Sequence, residues 1–453
     1  MTRPQLEPPR PPQRQRFGTI AAGLTLMLGG LFAATPTTAA PVTSPDDIAA
    51  LAPGTVLDAR PVTIAAGSLI PVKITAWQLR YRTNDATGNP VVAITTAMLP
   101  YQAGPDPSRP LLAYDSFEDS IPASCAPSYQ LQQNLNWSGV PVQIELVMIA
   151  AGLRQGWAVT VPDHLGPTGE YLAGRMSGQA TLDAIRATES FGAMGLNGPR
   201  TKVGVLGYSG GAHAAEWTST LSSGYAPELN IVGVAAGGVP PDIQAVYNKI
   251  NRTVWAGIAV TGIEGLRQAY PELDQYVDQH TTAAGKSAFD KTKNQCLQNN
   301  VIQNPYANID TYFTVPDPLH QPIPQKYLAL NTMPSDIRTD APTYLFHTVG
   351  DEVLPIAPVD DLVAGRCAAG DQIVYRRDSA SNEHVLAAIA GLPGAAVWLK
   401  DRFDGVPLAP GCDIRTVPTT LTDPRNAAFL GDTLFKSLLD IAGYPVGPDD
   451  AIG

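Results

Sequence analysis

Basic residues are scarce in this chain: 30 Lys and Arg stand against 41 Asp and Glu in 453 residues, a formal charge of −11. No block of them follows the first twenty positions. So acidic a chain repels phosphate backbones and anionic membrane faces, which argues against nucleic-acid binding. Charged residues of both signs are only 16% of the total while apolar ones are 44%, so a disordered tail or a coiled coil is excluded as well. Cysteine is also sparse. Its four copies, Cys125, Cys296, Cys367 and Cys412, lie far apart and in no CxxC or Cys/His spacing, so no metal site is expected. After residue 40 no stretch approaches the roughly 18 uninterrupted apolar residues of a membrane span. Proline and glycine, by contrast, are plentiful at 42 and 41 copies without a period, which predicts many tight connections in a compact protein.

The one long apolar run lies at the start. Arg3, Arg10, Arg14 and Arg16 precede it, it extends from Gly18 to Ala34, and the small residues Thr37-Thr38-Ala39-Ala40 follow. This three-part layout predicts a signal peptide over 1–40, cleaved after Ala40. Gly23, Gly29 and Gly30 dilute the run, which favours cleavage over a retained anchor. The expected product is a secreted, extracellular monomer without a transmembrane segment. Four arginines and Glu7 leave with the leader, so 26 basic against 40 acidic residues give the remainder a charge of −14. In an oxidising compartment the four cysteines predict two disulfides, and spacing leaves all three pairings open. Sequons stand at Asn136-Trp137-Ser138 and Asn251-Arg252-Thr253.

Short β-branched or aromatic segments predict strands at Val72 to Thr83, Val91 to Met98, Leu111 to Tyr114, Trp157 to Val161, Val203 to Leu206, Ile231 to Ala235, Thr343 to His347 and Gln372 to Tyr375. Helical patterns cover Gln143 to Gln155, Gly178 to Met194, Ala212 to Leu221 and Thr433 to Ile441. Strand and helix alternate on both sides of the middle of the chain, which places the fold in the α/β class, a mostly parallel sheet with helices on both faces. In the middle the strand signals stop at Pro240-Pro241, Asn and Gln accumulate from Asn294 to Asn308, and the segment Ala256 to Tyr270 is helical. This predicts a mainly helical cap over 241–325, inserted between core segments 41–240 and 326–453; an independent domain is the alternative.

The sharpest motif is Gly207-Tyr208-Ser209-Gly210-Gly211, a G-x-S-x-G. The pattern alone is short enough to arise by chance, but here a β-branched strand runs into it and an Ala-rich helix runs out. That setting holds a serine on a strained turn with its hydroxyl exposed above a sheet. A serine hydroxyl needs a base and the base needs an orienting acid, in the order Ser, acid, His along the chain. His280 and His320 fall in the cap and His347 inside a strand, which leaves His384, in a loop after a strand, as the base. Asp351, in Gly350-Asp351-Glu352-Val353-Leu354-Pro355 just past a strand end, is the expected acid; Glu352, Asp360, Asp361 and Asp378 are competitors read as solvated loop charges. The oxyanion hole requires two N–H groups. One belongs to Gly210, and the loop Tyr114-Asp115-Ser116-Phe117-Glu118-Asp119 is to supply the other, with Asp115 the first choice and Asp119 the second. His213 and Asp163 are expected nearby in supporting roles.

With these motifs in place the chain resembles the secretory lipase family of the Candida antarctica lipase A type. The shared residues are Cys125-Ala126-Pro127-Ser128-Tyr129, Val161-Pro162-Asp163-His164-Leu165-Gly166-Pro167 with Tyr171-Leu172-Ala173-Gly174, Gly207 through His213, Ala236-Gly237-Gly238-Val239-Pro240, Asp351 through Pro355, and Trp398-Leu399-Lys400-Asp401-Arg402-Phe403. The resemblance implies an α/β-hydrolase fold with a helical cap, a triad of Ser209, Asp351 and His384, disulfides 125–296 and 367–412, and hydrolysis of acylglycerols or other carboxylic esters, with no cofactor. The expected reaction is acyl transfer through an acyl-enzyme on a lipid or ester substrate, at an oil–water interface for a lipase. A non-lipolytic esterase or acyltransferase, a serine peptidase and a catalytically idle binding protein are the other readings.

Overall fold

In Val203-Gly-Val-Leu-Gly-Tyr, successive side chains must point to opposite faces of a sheet. The computed structural model, which describes residues 44–133 and 140–449, places this segment at the sheet's centre with both faces buried. Val203 and Val205 join one apolar cluster, and Leu206 and Tyr208 join the other. The predicted leader over 1–40 and the sequon at Asn136 lie outside the described residues.

Ten strands form the sheet: β1 (Val56–Pro61), β2 (Thr75–Asn84), β3 (Pro90–Leu99), β4 (Leu111–Asp115), β5 (Ala158–Pro162), β6 (Val203–Tyr208), β7 (Ile231–Gly237), β8 (Thr343–Thr348), β9 (Ile373–Asp378) and β10 (Asp413–Val417). Their spatial order is β1-β2-β3-β5-β4-β6-β7-β8-β9-β10. The first three pairings are antiparallel, and every pairing from β5 onward is parallel. Parallel strands need crossovers, and helices supply them on both faces. Helices α1 (Val140–Arg154) and α11 (His384–Phe403) cover one face; α2 (Gly174–Ser190), α3 (Gly210–Tyr225) and α10 (Ile356–Ala369) cover the other. The fold is that of an α/β-hydrolase.

Two edge strands escaped the sequence reading. β10, Asp-Ile-Arg-Thr-Val, pairs on one side only and leaves Ile414 half exposed, so it lacks the apolar run of a central strand. β1 is equally polar. Between β7 and β8 lie six α-helices: α4 (Ile243–Ile250), α5 (Ala256–Ala269), α6 (Pro271–His280), α7 (Ala283–Thr292), α8 (Leu297–Gln303) and α9 (Pro322–Asn331). All of them except α8 contribute to a third apolar cluster with Tyr171, Leu172 and Met176 of the core.

The disulfides are Cys125–Cys296 and Cys367–Cys412. The first ties the segment after β4 to the start of α8. At the Asn251 sequon the amide is engaged within the cap: it donates to Asp310 at 3.3 Å and accepts the Ile309 N–H at 3.0 Å. Among the described residues no helix is long and apolar enough to cross a membrane.

Candidate active site

β6 ends at the nucleophile candidate. Ser209 sits at φ 55° and ψ −118°, outside the regions an L-residue prefers, a conformation that costs on the order of 1–3 kcal/mol and is held by its surroundings. Its glycines are required by close approach. A Cβ on Gly207 would stand 2.2 Å from the Gly211 carbonyl oxygen, one on Gly211 would stand 2.0 Å from the Asp115 carbonyl oxygen, and one on Gly210 would stand 1.7 Å from Asp119 Oδ1. Helix α3 begins at Gly210, so its N-terminal N–H groups and positive dipole end face the space above Ser209.

Across that space a continuous hydrogen-bond chain joins the elbow, the loop after β8 and the first residue of α11, since His384 opens that helix instead of lying in the expected loop. His384 Nε2 lies 2.9 Å from Ser209 Oγ, and its Nδ1 lies 2.8 Å from Asp351 Oδ2. The other carboxylate oxygen accepts the N–H groups of Val353 at 2.9 Å and Leu354 at 2.8 Å. Burial alone would raise the Asp351 pKa; the hydrogen bond and charge of His384 outweigh it and hold the group below the usual carboxylate range. The His384 backbone is fixed as well: its N–H donates to Glu352 at 2.8 Å and its carbonyl accepts the Tyr208 hydroxyl at 2.5 Å. Glu352, read from sequence as a competing acid, thus holds the base rather than the solvent. Tyr208 carries no signal in the sequence, because the middle position of the motif has no chemical constraint of its own.

The other candidates are placed elsewhere. Asp378 caps the turn at Ala380 and Ser381, Asp360 accepts from Tyr375, and Asp361 is exposed. His347 is buried in β8, where its Nε2 lies 3.1 Å from the Leu354 carbonyl. In the cap, His280 packs on Tyr276 and His320 pairs with Asp317. His213 is buried on α3, and burial pushes its pKa down to about 3. Asp163 accepts the N–H and hydroxyl of Ser128.

The two oxyanion candidates also separate. Leu111, Ala113 and Asp115 occupy alternate positions of β4, so the Asp115 carboxyl points with them toward α2, where it accepts the Thr181 hydroxyl at 2.8 Å. It does not line the cavity. Asp119 does, at φ 37° with its carboxyl against Gly210; burial pushes that carboxyl up to about 7 despite a hydrogen bond from Tyr171. Period two alone explains why the Asp115 carboxyl faces away from the cavity.

Ser209, Gly210, Asp119 and His384 open on a cavity of about 170 Å³, roofed by Ile243, Val246, Ile258, Ile263 and Leu266 of α4 and α5. No charged side chain projects from the cap into it. Among the described residues no group of three or more His, Cys, Asp or Glu is placed to hold a metal ion.

A mostly parallel sheet with a nucleophile elbow, a carboxylate on a loop and a histidine at a helix start at its C-terminal edge, and a helical roof defines a capped α/β-hydrolase. The chain belongs to the secretory lipase family, whose model matches residues 131–411, and is by class a carboxylic ester hydrolase. Lipase A of Arthroderma benhamiae is 35% identical over 87% of this chain and 86% of its own length. A probable inactive lipase of Mycobacterium tuberculosis is 34% identical over 83% and 84%. The crystal structure of Candida antarctica lipase A in its closed state superposes with a TM-score of 0.78 at 28% identity, covering 90% of this chain and 97% of that one.

Proposed function

We propose that the protein is a secreted triacylglycerol lipase whose nucleophile is Ser209, with His384 as general base and Asp351 as its orienting acid. The observation that carries this reading is the unbroken Ser209–His384–Asp351 hydrogen-bond chain opening on an apolar cavity. His384 Nε2 takes the Ser209 proton as Oγ attacks the ester carbonyl, and Asp351 stabilises the imidazolium that forms. The N–H of Gly210 and that of Asp119 receive the oxyanion. The proton then passes from His384 to the leaving alkoxide, and water repeats the sequence on the acyl-enzyme. The cap, residues 241–325, forms the wall for the acyl chain, and the leader over 1–40 directs export.

Two features favour an ester over a peptide. Apart from Asp119 and His384 at the nucleophile the cavity is lined by no ionisable carboxylate or amine that could recognise a peptide terminus, and its walls are aliphatic and aromatic, matching an acyl chain. Given a probable inactive relative in the same family, activity must be measured on this chain. The test is hydrolysis of p-nitrophenyl esters of graded chain length by the wild type and by Ser209→Ala, followed by emulsified triolein. The expected result is acyl-ester hydrolysis that falls at least about 10⁴-fold in the variant, with a rise in wild-type rate once an emulsion forms. No hydrolysis by the wild type, or full activity in Ser209→Ala, overturns the reading. Hydrolysis of soluble esters with none of triolein would make the protein an esterase.

A further inference from the structure

Glu145 is a carboxyl in the wrong solvent. It lies in α1 within Val142-Gln-Ile-Glu-Leu-Val-Met, buried against the sheet. Burial pushes its pKa up to about 8. Packing α1 on the sheet requires no carboxyl, and an apolar side chain there avoids the desolvation cost. What the carboxyl does is gather one loop. It accepts the Tyr114 hydroxyl at 3.0 Å, the Phe117 N–H at 3.2 Å and the Ser116 hydroxyl.

These three donors span residues 114–117, the stretch that leads from β4 to Asp119. On its far side the same stretch is braced by His164 Nε2, 2.8 Å from the Ser116 carbonyl, and by the Leu165 N–H, which donates to Glu118 at 3.3 Å. The loop has no ladder partner of its own beyond Asp115, whose register ends opposite Gly207. Two residues after Phe117, Asp119 lies at left-handed φ 37° against Gly210. A side chain that fixes 114–117 therefore fixes where Asp119 is delivered.

We propose that Glu145 is a positioning residue for the oxyanion hole, setting the loop so that the Asp119 N–H faces the carbonyl oxygen of an ester held at Ser209. The inference rests on the function proposed above. An oxyanion donor acts in the transition state and little in the ground state, and losing one costs about 10²–10³-fold in kcat. Displacing it by loosening its loop should cost a part of that, about 10–100-fold, with KM nearly unchanged.

The experiment uses Glu145→Ala, Glu145→Gln and Ser116→Ala, each titrated with a covalent phosphonate to count reactive Ser209. Kinetics per titrated site on p-nitrophenyl butyrate are compared with inhibition by an alkyl boronic acid, whose tetrahedral adduct places an oxygen in the hole. Expected is a fall in kcat for Glu145→Ala with KM within about twofold, a parallel weakening of the boronic acid, and recovery of most of the loss in Glu145→Gln, whose amide oxygen still accepts the Phe117 N–H. If Glu145→Ala does not fold, Ser116→Ala, which removes one strut and leaves α1 intact, should show the smaller loss of the same kind. Folded variants with unchanged kcat and unchanged boronic-acid affinity, differing only in melting temperature, overturn the proposal. A wild type that hydrolyses no ester and takes no label at Ser209 overturns the underlying function instead.

Discussion

Ser209 at φ 55° and Gly210 beside Asp119 Oδ1 form one constraint seen from two residues. The elbow brings the backbone so near the 115–119 loop that any side chain at 210 collides with the group beside it. Gly210→Ala should therefore leave the sheet intact yet displace the loop, lowering kcat by about 10²-fold or more while KM and melting temperature change little; steady-state kinetics per titrated site would check this. A variant with wild-type kcat would mean the loop yields without loss. The elbow at Ser209 was legible in the sequence for the same reason: a strained turn between strand and helix leaves a glycine signature. The placement of Asp351 and His384 beside Ser209 was legible from chain order and strand ends. The position of Asp119 at the cavity was legible only as a second choice, because the choice between it and Asp115 depends on how far the loop travels past β4, and no local pattern encodes that. Glu145 read as one polar residue in a helix, since its partners are 28 to 31 residues away along the chain.

Among the elements, the loop after β4 and the helices around it hold an unusual set of carboxyls. Burial raises Asp119 and Asp163 to about 7 and Glu145 to about 8, and lifts Glu118 and Asp115 well above their ordinary values. In the unfolded chain these groups ionise near pH 4. Between the two values the folded chain binds more protons than the unfolded one, so stability declines as pH rises. The buried histidines His164 and His213, lowered to about 4 and about 3, act in the opposite sense but only below about pH 6.5, where the unfolded imidazole titrates. The window from about 6.5 to 8 is left to the carboxyls. The melting temperature should fall across it, and Glu145→Gln, which cannot ionise, should flatten the slope. A melting temperature that is level or rising there would contradict these assignments. The strands and helices that carry this cluster were legible from period and alternation; β1 and β10 were not, because an edge strand with one partner needs no apolar run.

For the whole molecule, cap and core meet at the site and are joined covalently beside it. Cys125–Cys296 fastens the stretch after Asp119 to α8, and Ser120 accepts the Leu297 N–H at 3.0 Å next to the bond. The bond closes 171 positions and Cys367–Cys412 closes 45, worth roughly 5 and 4 kcal/mol in the loop-entropy model. Cys296→Ser paired with Cys125→Ser should therefore lower the denaturant midpoint more than Cys367→Ser with Cys412→Ser, and should also reduce kcat, since only the first pair borders the loop at Gly210. Equal kcat in both pairs would separate the disulfide from the site. The same topology sets an order on biosynthesis. Cys125 leaves the ribosome long before its partner exists and must stay unpaired while the nucleophile elbow and most of the cap are made, whereas Cys367 waits for only a short tail. A chain interrupted before residue 296 carries a complete serine elbow and one odd thiol, and in the finished chain a bond from Cys125 to Cys367 or Cys412 is the mispairing that oxidative folding has to avoid.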